Sequence, residues 1–177
     1  PSPTPVPTTK PDVPATPKPS STPSTPKEKY GLDNDEIEAL CTIAGEVNLF
    51  EDSSDAYKVL AWSMRNRKGI NPSYYRNTWY DIVNKERQYK GHGNEPFREM
   101  KSYLEGNLTG YYTKKGIPDK FSSIVDTALP ILRGETNDDP TRGATSANRG
   151  SKGHPGLEWR GPLGNWYFGN DPNLDGK

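Results

Sequence analysis

The uneven distribution of proline and aromatic residues divides this chain into two parts. Of the first 27 residues, 20 are Pro, Thr or Ser, and none is Phe, Trp or Tyr. Because proline removes backbone donors and fixes φ, we expect a disordered, extended, Pro/Thr/Ser-rich linker over residues 1–29. A ligand for a proline-recognition domain is a second interpretation of this segment. Residues 30–177 hold all the aromatic residues and are predicted to form one domain around a single core.

Composition excludes several classes of protein and site. A single Cys excludes a framework of internal disulfides. No run approaches the ~18–20 apolar residues of a membrane span, so we expect no membrane insertion. The 23 basic and 23 acidic residues balance, which gives no electrostatic reason to expect binding to nucleic acid. Two histidines, His92 and His154, cannot supply a His-rich zinc site, and we expect neither a metal nor another cofactor.

Hydrophobic periodicity predicts that the domain is mainly helical. Between Ile37 and Ala44, apolar residues recur at the i, i+3, i+4, i+7 spacing of an amphipathic helix. Asp33 or Asn34 can cap this helix, because a short polar side chain accepts from the free backbone N–H groups of the first turn. The helix should end around Gly45–Glu46, since glycine suits a helix C-terminus.

Similar signals predict four further helices and a small β region. The helices are one capped by Ser53 or Ser54 and closed by Gly69, a short one after Thr78, one from Glu95–Pro96, and one capped by Asp119, kinked by Pro130 and stopped by Gly134. After Gly134 the chain is dense in Gly, Asn, Pro and aromatic residues, which favours loops with two or three short strands, around Ala144–Ala147 and Asn165–Phe168. The predicted fold class is α+β.

Glu46 is the strongest candidate for chemistry. A carboxyl group at the end of an apolar helix can lie half-buried at the rim of a cleft, where burial raises its pKa as a general acid requires. A solvated Glu is the alternative, although the negative end of the helix dipole disfavours a carboxylate there. Glu51, Asp52 and Asp55 follow closely. One of them can be a second carboxylate for hydrolysis, or they serve as helix caps.

Other reactive or aromatic side chains have plainer interpretations. Cys41 lies on the apolar stripe, which favours core packing over a role as a nucleophile. His92 and His154 occupy Gly-rich loops and are expected at the surface, with substrate binding as the alternative. Aromatic residues outside the helical stripes can stack on sugar rings or fill the core. They are Tyr74, Tyr75, Trp79, Tyr89, Tyr111, Tyr112, Trp159 and Trp166.

Four sequence elements, in order, resemble the SleB-like cell wall hydrolases, the family of spore-cortex-lytic enzymes. The first is IAGEVNLFEDSSDAYKVLAWSMRNR, with Gly45–Glu46 and the closing pair Asn66–Arg67. The second is the Gln-aromatic pair Gln88–Tyr89. The third is DPTRGA, residues 139–144, which is similar to the DPTxGA element of the family. The fourth is GNWYF, residues 164–168. Together they span roughly residues 35–170.

The resemblance implies a lysozyme-like fold and cleavage of the MurNAc–GlcNAc bond of peptidoglycan. It implies that Glu46 is the catalytic acid/base, in a lytic transglycosylase or a muramidase. It also implies that Gln88 and Tyr89 line the cleft, and that Thr145, Asn148 and Trp166 belong to the substrate-binding strand region. In a lytic transglycosylase the C6 hydroxyl of the sugar attacks its own C1, so one carboxyl group suffices. A glycan-binding module without turnover is the alternative function.

The sequence departs from the family pattern in several segments. The loop after Glu46 is about two residues longer, and residues 94–120 are longer than the corresponding region. SANRG replaces an aromatic-rich run, and Trp166 stands where His is common. The sequence therefore supports vegetative peptidoglycan as the substrate at least as well as spore cortex. The expected location is extracellular, at the cell wall or spore cortex, or on a phage or phage-like particle, with peptidoglycan glycan strands as the partner.

Overall fold

The computed structural model describes residues 1–2, 24–70, 77–85 and 88–170, and within them the helices precede a small sheet. The helices are α1 (Pro26–Tyr30), α2 (Asn34–Glu46), α3 (Ser54–Arg67), α4 (Trp79–Val83), α5 (Glu95–Leu104), α6 (Tyr111–Lys114) and α7 (Pro118–Arg133). The strands are β1 (Ser146–Arg149), β2 (Glu158–Leu163) and β3 (Trp166–Asn170). This element order confirms the predicted α+β class.

Helix α1 begins before the predicted domain boundary at residue 30. Thr25 and Glu28 form a reciprocal capping box, and Pro26 takes the first helical position, where its missing N–H costs nothing. Lys27 then lies 3.1 Å from Glu105 just beyond the end of α5. The high Pro and Thr content of the segment favours a linker, and the signals for a short helix within it were therefore not recognised. Residues 3–23, most of the predicted linker, lie outside the described residues.

Helix α2 is the central helix, and both of its predicted ends are confirmed. Asp33 caps it through a capping box with Glu36, and Glu46 is its last residue. The helix contacts α3, α4, α5 and α7, so apolar residues are buried around most of its circumference. Because both ends are fixed by this packing, the position of Glu46 is set by the core.

The starts of the remaining helices follow the sequence signals with one correction. Thr78 and Asn94 cap α4 and α5 through side-chain hydrogen bonds, as the sequence predicts or within one residue of it. Ser53 takes the N-cap position of α3, but its side chain makes no capping hydrogen bond. Helix α7 begins at Pro118 with Ile117 as its N-cap, so the prediction that Asp119 caps it was wrong. Proline is favoured at the first helical position, and Asp119 instead lies in the first turn, near the positive end of the helix dipole.

Helix α7 ends as the sequence predicts, whereas helix α6 was missed. Gly134 ends α7 in the left-handed conformation at φ 77°. The four-residue helix α6 is too short to show the periodic apolar spacing used to predict helices.

One hydrophobic core joins the helices to the sheet. Its largest fully buried side chains come from α2, α3, α4, α5 and α7: Leu40, Ile43, Tyr57, Val59, Leu60, Met64, Ile82, Met100, Leu104, Phe121 and Ile124. Helix α3 contacts α7 on one side and all three strands on the other. No helix in the described part of the chain is long and apolar enough to cross a membrane.

The sheet is antiparallel, with strand order β1-β3-β2. Ala147 pairs with Phe168 and Asn148 with Tyr167 between β1 and β3. The predicted strands at Ala144–Ala147 and Asn165–Phe168 therefore exist, shifted by one or two residues toward the C-terminus. The residues just before β1 are hydrogen-bonded to Asn66 and Arg67 at the end of α3. Residues of β1 and the last residue of α2 line the same cavity.

Candidate functional site

Glu46 is held at the last position of α2 with its side chain half-buried. The backbone N–H of Gly91 donates to Glu46 Oε1 at 2.5 Å. The carboxyl group is thus fixed by a loop 45 residues further along the chain. A solvated Glu at a helix end, the alternative from sequence, is not what the structure contains.

Two glycines make this hydrogen bond possible. A Cβ atom on Gly45 would lie 2.2 Å from the carbonyl oxygen of Gly91, and a Cβ on Gly91 would lie 2.3 Å from the carbonyl carbon of Gly45. Neither position has room for a side chain. The glycine that precedes Glu46 is therefore needed for the approach of the Gly91 loop, as well as suiting the helix end.

Asn94 also joins the end of α2 to the start of α5. Its Nδ2 donates to the carbonyl oxygen of Gly45 at 2.9 Å, and its Oδ1 accepts from the N–H of Phe97 at 3.1 Å. One side chain thus satisfies a free carbonyl at the end of α2 and a free N–H at the start of α5. The position of the loop relative to Glu46 is set by hydrogen bonds at both of its ends.

The environment of Glu46 raises its pKa above the ordinary value. Burial disfavours the charged form and is the largest cause. The N–H of Gly91 and the positive charges of Lys90 and Arg67 act in the opposite direction and do not cancel it. Gly91 donates to Oε1, so we assign the proton of the neutral acid to Oε2. The raised pKa keeps this carboxyl group protonated to a higher pH than that of an ordinary Glu.

A cavity of about 420 Å³, here named the Gln88 cavity, opens beside Glu46. Its walls include Gln88, Tyr89 and Asn148, three of the residues singled out in the sequence. His154, from the loop before β2, and Trp159 of β2 also line it. Its volume lies in the range of about 300–1,000 Å³ that is typical of ligand sites.

Glu46 also lines a second cavity, of about 330 Å³, which is named here the Phe50 cavity. Phe50 and Asn48 from the loop after α2 line it, together with Tyr112 of α6 and Arg149 of β1. Glu46 borders both cavities. A chain-like ligand lying in both would place one of its internal bonds at the carboxyl group.

Tyr89 is anchored on the inner wall of the Gln88 cavity. Its hydroxyl lies 3.2 Å from Ser63 Oγ, and the guanidinium of Arg67 lies 4.7 Å from the centre of its ring. Arg67 Nε also donates to the carbonyl oxygen of Thr145 at 2.5 Å, which ties α3 to the residue before β1. Arg67 was noted in the sequence only as part of an Asn-Arg pair; its position beside Glu46 required the fold.

The DPTRGA element and Asn66 form a scaffold behind the cavity. Asp139 accepts from the backbone N–H groups of Thr141 and Gly143, at 2.7 and 2.8 Å, and from Asn66 Nδ2 at 2.9 Å. Asn66 Nδ2 also donates to the carbonyl oxygen of Ala144. Burial raises the pKa of Asp139, but these hydrogen bonds together lower it below its usual value. This motif holds β1 beside α3 and lines neither cavity.

Thr145 and Trp166 do not line the cavities, which corrects their predicted place in the site. Thr145 is fully buried behind β1, and its N–H donates to the carbonyl oxygen of Gly169 at 3.0 Å. Trp166 is 3 % exposed, and its Nε1 lies 3.4 Å from Asp52 Oδ2. Trp166 and Phe168 are both buried on β3, since residues two apart in a strand share a face.

None of the three candidate second carboxylates lines the cavities beside Glu46. Asp52 is buried and accepts from the N–H of Asn48 at 2.8 Å and from Arg149 Nε at 3.2 Å. Glu51 is exposed and pairs with Arg149 Nη2 at 2.6 Å. Asp55 pairs with Lys58 beside a third cavity, of about 500 Å³, between α3 and α7. Among the described residues that line the Gln88 and Phe50 cavities, Glu46 is the one acidic residue.

The cysteine and the histidines occupy three different environments. Cys41 is fully buried, and this burial raises the pKa of its thiol, so core packing is confirmed. His92 is partly buried: its Nε2 lies 3.2 Å from Glu38 Oε2, and its ring packs edge-on against Phe97. His154 is exposed at the wall of the Gln88 cavity, where its Nδ1 accepts from the N–H of Gly156.

The aromatic residues divide between core and cavity. Trp79 is buried beneath Lys68, whereas Trp159 lines the Gln88 cavity and Tyr112 the Phe50 cavity. Tyr111 is exposed beside Tyr112. Tyr74 and Tyr75 lie outside the described residues.

The described residues contain no group of three or more His, Cys, Asp or Glu side chains placed to hold a metal ion. Of the residues around Glu46, sequence reasoning missed Gly91 and Asn48. A glycine next to a candidate acid is visible in the sequence at Gly45, but its partner 46 residues later has no local signal. Comparisons with protein-family models, with curated proteins and with solved structures found no match for this chain.

Proposed function

We propose that this protein is a peptidoglycan glycosidase that cleaves the MurNAc–GlcNAc bond, with Glu46 as the catalytic acid/base. The observation that carries the proposal is the position of Glu46 between two cavities, with one carboxyl oxygen held by the N–H of Gly91. A carboxyl group with a raised pKa that lines two cavities suits cleavage within a glycan strand whose two parts lie in those cavities. The same arrangement, with helices followed by a small sheet, supports a SleB-like family assignment and a lysozyme-like fold.

The mechanism uses Glu46 twice. As an acid, Glu46 gives the proton on Oε2 to the glycosidic oxygen, and the bond from that oxygen to C1 of MurNAc breaks. The C6 hydroxyl of the same MurNAc attacks C1, and its proton passes to the Glu46 carboxylate. The products are a 1,6-anhydro end and a strand with a free 4-hydroxyl, and the enzyme regains its proton. No water is consumed.

The single acid in the site favours this lytic transglycosylase route over hydrolysis. An inverting or retaining hydrolase needs a second carboxylate about 5–9.5 Å from the first. Asp52 and Glu51, the nearest candidates in sequence, are paired with Arg149, and neither of them lines the Gln88 or the Phe50 cavity. Hydrolysis by water is the alternative chemistry, and the products distinguish the two routes.

Substrate contacts in the Gln88 cavity are proposed for Gln88 and Asn148, whose amide groups suit hydrogen bonds to hydroxyl and acetamido groups. Asn148 Nδ2 donates to the carbonyl oxygen of Ser151 at 2.9 Å, so its Oδ1 is the atom proposed to contact the substrate. Tyr89 is buried, and its hydroxyl is engaged by Ser63, so it shapes the wall of the cavity. Thr145 and Trp166 support the strands from behind and are not proposed to contact the glycan.

The proposed setting is the bacterial cell envelope. A glycan-cleaving domain preceded by a Pro/Thr/Ser-rich segment suits an extracellular protein of the cell wall or spore cortex, or a component of a phage or phage-like particle. Its partner is the peptidoglycan glycan strand.

The test compares wild type with Glu46→Gln on purified peptidoglycan. The amide can still accept from Gly91 but cannot donate an acidic proton, so we expect loss of soluble fragments with the fold retained. Asp55→Asn is the matched control, since it makes the same acid-to-amide change outside the two cavities. Mass spectrometry of wild-type products should show anhydromuramyl ends; reducing ends would mean hydrolysis. Undiminished cleavage by Glu46→Gln would refute the assignment of Glu46.

A glycan-binding module without turnover is the second candidate function, and the aromatic side chains of Trp159 and Tyr112 at the two cavities favour it. It predicts that wild type and Glu46→Gln both sediment with peptidoglycan and that neither releases fragments. A Cys41-dependent peptidase is disfavoured, because the thiol is fully buried and burial raises its pKa.

A further inference from the structure

The Phe50 cavity contains the clearest unexplained feature of the surface. Phe50 is 55 % exposed, and Tyr111 is 53 % exposed, although most aromatic side chains in the described residues are wholly or partly buried. The ring centres of Phe50 and Tyr112 are 5.9 Å apart with a tilt of 41°, and Tyr111 stands edge-on to Tyr112 at 5.1 Å. These three rings are named here the aromatic wall. It lies where residues 47–53 meet α6.

The backbone beneath the aromatic wall is fixed, so the exposure of the rings does not reflect a loose loop. Asn48 Oδ1 accepts from the N–H of Phe50 at 3.0 Å, and the N–H of Asn48 donates to the buried Asp52 carboxylate at 2.8 Å. On the other side, the N–H of Thr113 donates to Glu99 Oε1 at 2.7 Å. Rings held out to solvent on a fixed backbone leave apolar surface in water that a ligand could cover.

The aromatic wall also has polar groups at its edge. Phe50 and Tyr112 share the cavity with Arg149 and Asn48. Arg149 is held in place by Glu51 and Asp52, and its guanidinium remains partly exposed. Asn48 Oδ1 accepts from the N–H of Phe50, so its amide nitrogen is the donor that we propose for a ligand. Ring faces bordered by amide and guanidinium donors match a sugar, whose ring face is apolar and whose edge carries hydroxyl and acetamido acceptors.

Continuity with Glu46 identifies the occupant. Glu46 lines the Phe50 cavity as well as the Gln88 cavity, so a strand that occupies the Gln88 cavity and extends past Glu46 has the Phe50 cavity as a place to bind. We propose that the aromatic wall is a stacking subsite for an N-acetylated pyranose of the glycan strand, and that it determines how the strand is gripped on that side of the scissile bond. This inference rests on the proposed function.

The subsite is built by the loop after Glu46 and by α6. It makes Phe50 and Tyr112 binding residues and assigns them no part in proton transfer.

Binding of a β-1,4-linked N-acetylglucosamine hexamer to the full chain with Glu46→Gln tests the subsite without turnover. Phe50→Leu and Tyr112→Leu keep apolar volume but remove the ring face, and each should weaken hexamer binding about tenfold. Tyr112→Phe keeps the ring and should bind like the parent. Leu108→Ala, at a side chain 56 % exposed outside both cavities, should also leave binding unchanged. Circular dichroism confirms folding of each variant.

Cleavage separates a failure of this inference from a failure of the proposed function. With Glu46 intact, Phe50→Leu should raise KM for peptidoglycan and leave kcat nearly unchanged. If wild type cleaves but both Leu variants bind and cleave as it does, the aromatic wall is not a sugar subsite and the proposed function stands. If the variants affect only substrates that carry stem peptides, the wall binds peptide and the proposal is overturned. If wild type never cleaves yet the Leu variants bind the hexamer more weakly, the subsite stands and catalysis fails.

Discussion

Gly45 at the end of α2 and Gly91 in the loop before α5 lie in backbone contact, with no space between them for a side chain on either residue. This contact brings the N–H of Gly91 to 2.5 Å from Glu46 Oε1. It also buries the carboxyl group enough to raise its pKa. The properties of Glu46 therefore depend on two residues that have no side chain.

Substitution of Gly91 by Ala should reduce both stability and activity. The added Cβ would meet Gly45 at 2.3 Å, so the loop must move, and overpacking of this kind costs roughly 1–3 kcal/mol. Movement of the loop also removes the N–H that holds Glu46. We expect a lower midpoint in urea unfolding and, below that midpoint, a lower kcat on peptidoglycan.

Gly93→Ala is the control for this prediction, because its Cβ would meet nothing within 4 Å and its φ of 79° costs only local backbone strain. It should lose about 1 kcal/mol of stability and keep kcat. Equal loss of kcat in both variants would show that the contact with Gly45 has no special role.

The pH dependence of cleavage should report the pKa of Glu46. A general acid must be protonated, so kcat/KM falls as pH rises through its pKa, and burial places that fall above the ordinary Glu value of about 4.3. The positive charge of Lys90 lowers the pKa of Glu46. Lys90→Met should therefore move the alkaline limb to higher pH, measured from initial rates on peptidoglycan across pH. An unmoved limb would mean that another group controls it.

Glu46 should also affect stability in a pH-dependent way. Its pKa is raised in the folded protein, so ionisation is easier in the unfolded chain, and the contribution of Glu46 to stability is lost as pH rises through the folded pKa. Glu46→Gln does not ionise and avoids this loss. We expect its free energy of unfolding to match wild type in acid and to exceed it near neutral pH. Urea titrations at both pH values measure the difference.

Asp52 should be needed for folding more than for catalysis. It accepts from the N–H of Asn48, from Arg149 and from Trp166 Nε1 in a buried position. Asp52→Ala leaves these donors without their acceptor and should cost about 1–3 kcal/mol of stability, measured by thermal or urea unfolding. At temperatures where the variant stays folded, we expect kcat close to that of wild type. A large loss of kcat in the folded variant would identify Asp52 as a second catalytic carboxylate.

The helices that carry the site could be predicted from local sequence signals. The parts of the site that depend on contacts between distant residues could not. The capping box at Asp33 and the apolar stripe that follows are contained in a few residues, so α2 and its end at Glu46 could be predicted. The approach of Gly91 to Gly45 joins residues far apart in sequence, and no local pattern shows it. The side chain of Glu46 could be proposed from sequence, but its partner could not.

The burial of Trp166 could have been predicted from the period of two in its strand. Trp166 and Phe168 are two residues apart in a strand, so both belong to one face, and both are buried. That periodicity favours a core position for Trp166 over a groove position. Asn148 lies on β1, the strand paired with β3, and it lines the Gln88 cavity.

The scaffold around Asp139 should make stability sensitive to acid. Hydrogen bonds from Thr141, Asn66 and Gly143 outweigh burial and lower the pKa of Asp139 in the folded protein. A lowered folded pKa means that the contribution of Asp139 is present above its unfolded pKa and is lost as pH falls through the folded pKa. Asp139→Asn, which cannot ionise, should therefore lose about 1–3 kcal/mol of stability near neutral pH, and the deficit should shrink in acid.

Asp138→Asn is the matched control, since Asp138 is exposed and adjacent in sequence. Urea unfolding of the three proteins across pH measures the effect. If the difference between wild type and Asp139→Asn does not change with pH, the ionised form of Asp139 is not what the hydrogen bonds stabilise. A deficit that depends on pH would show that the ionised carboxylate of Asp139 stabilises the DPTRGA element. It would support a structural role for this element, in which it holds β1 beside α3.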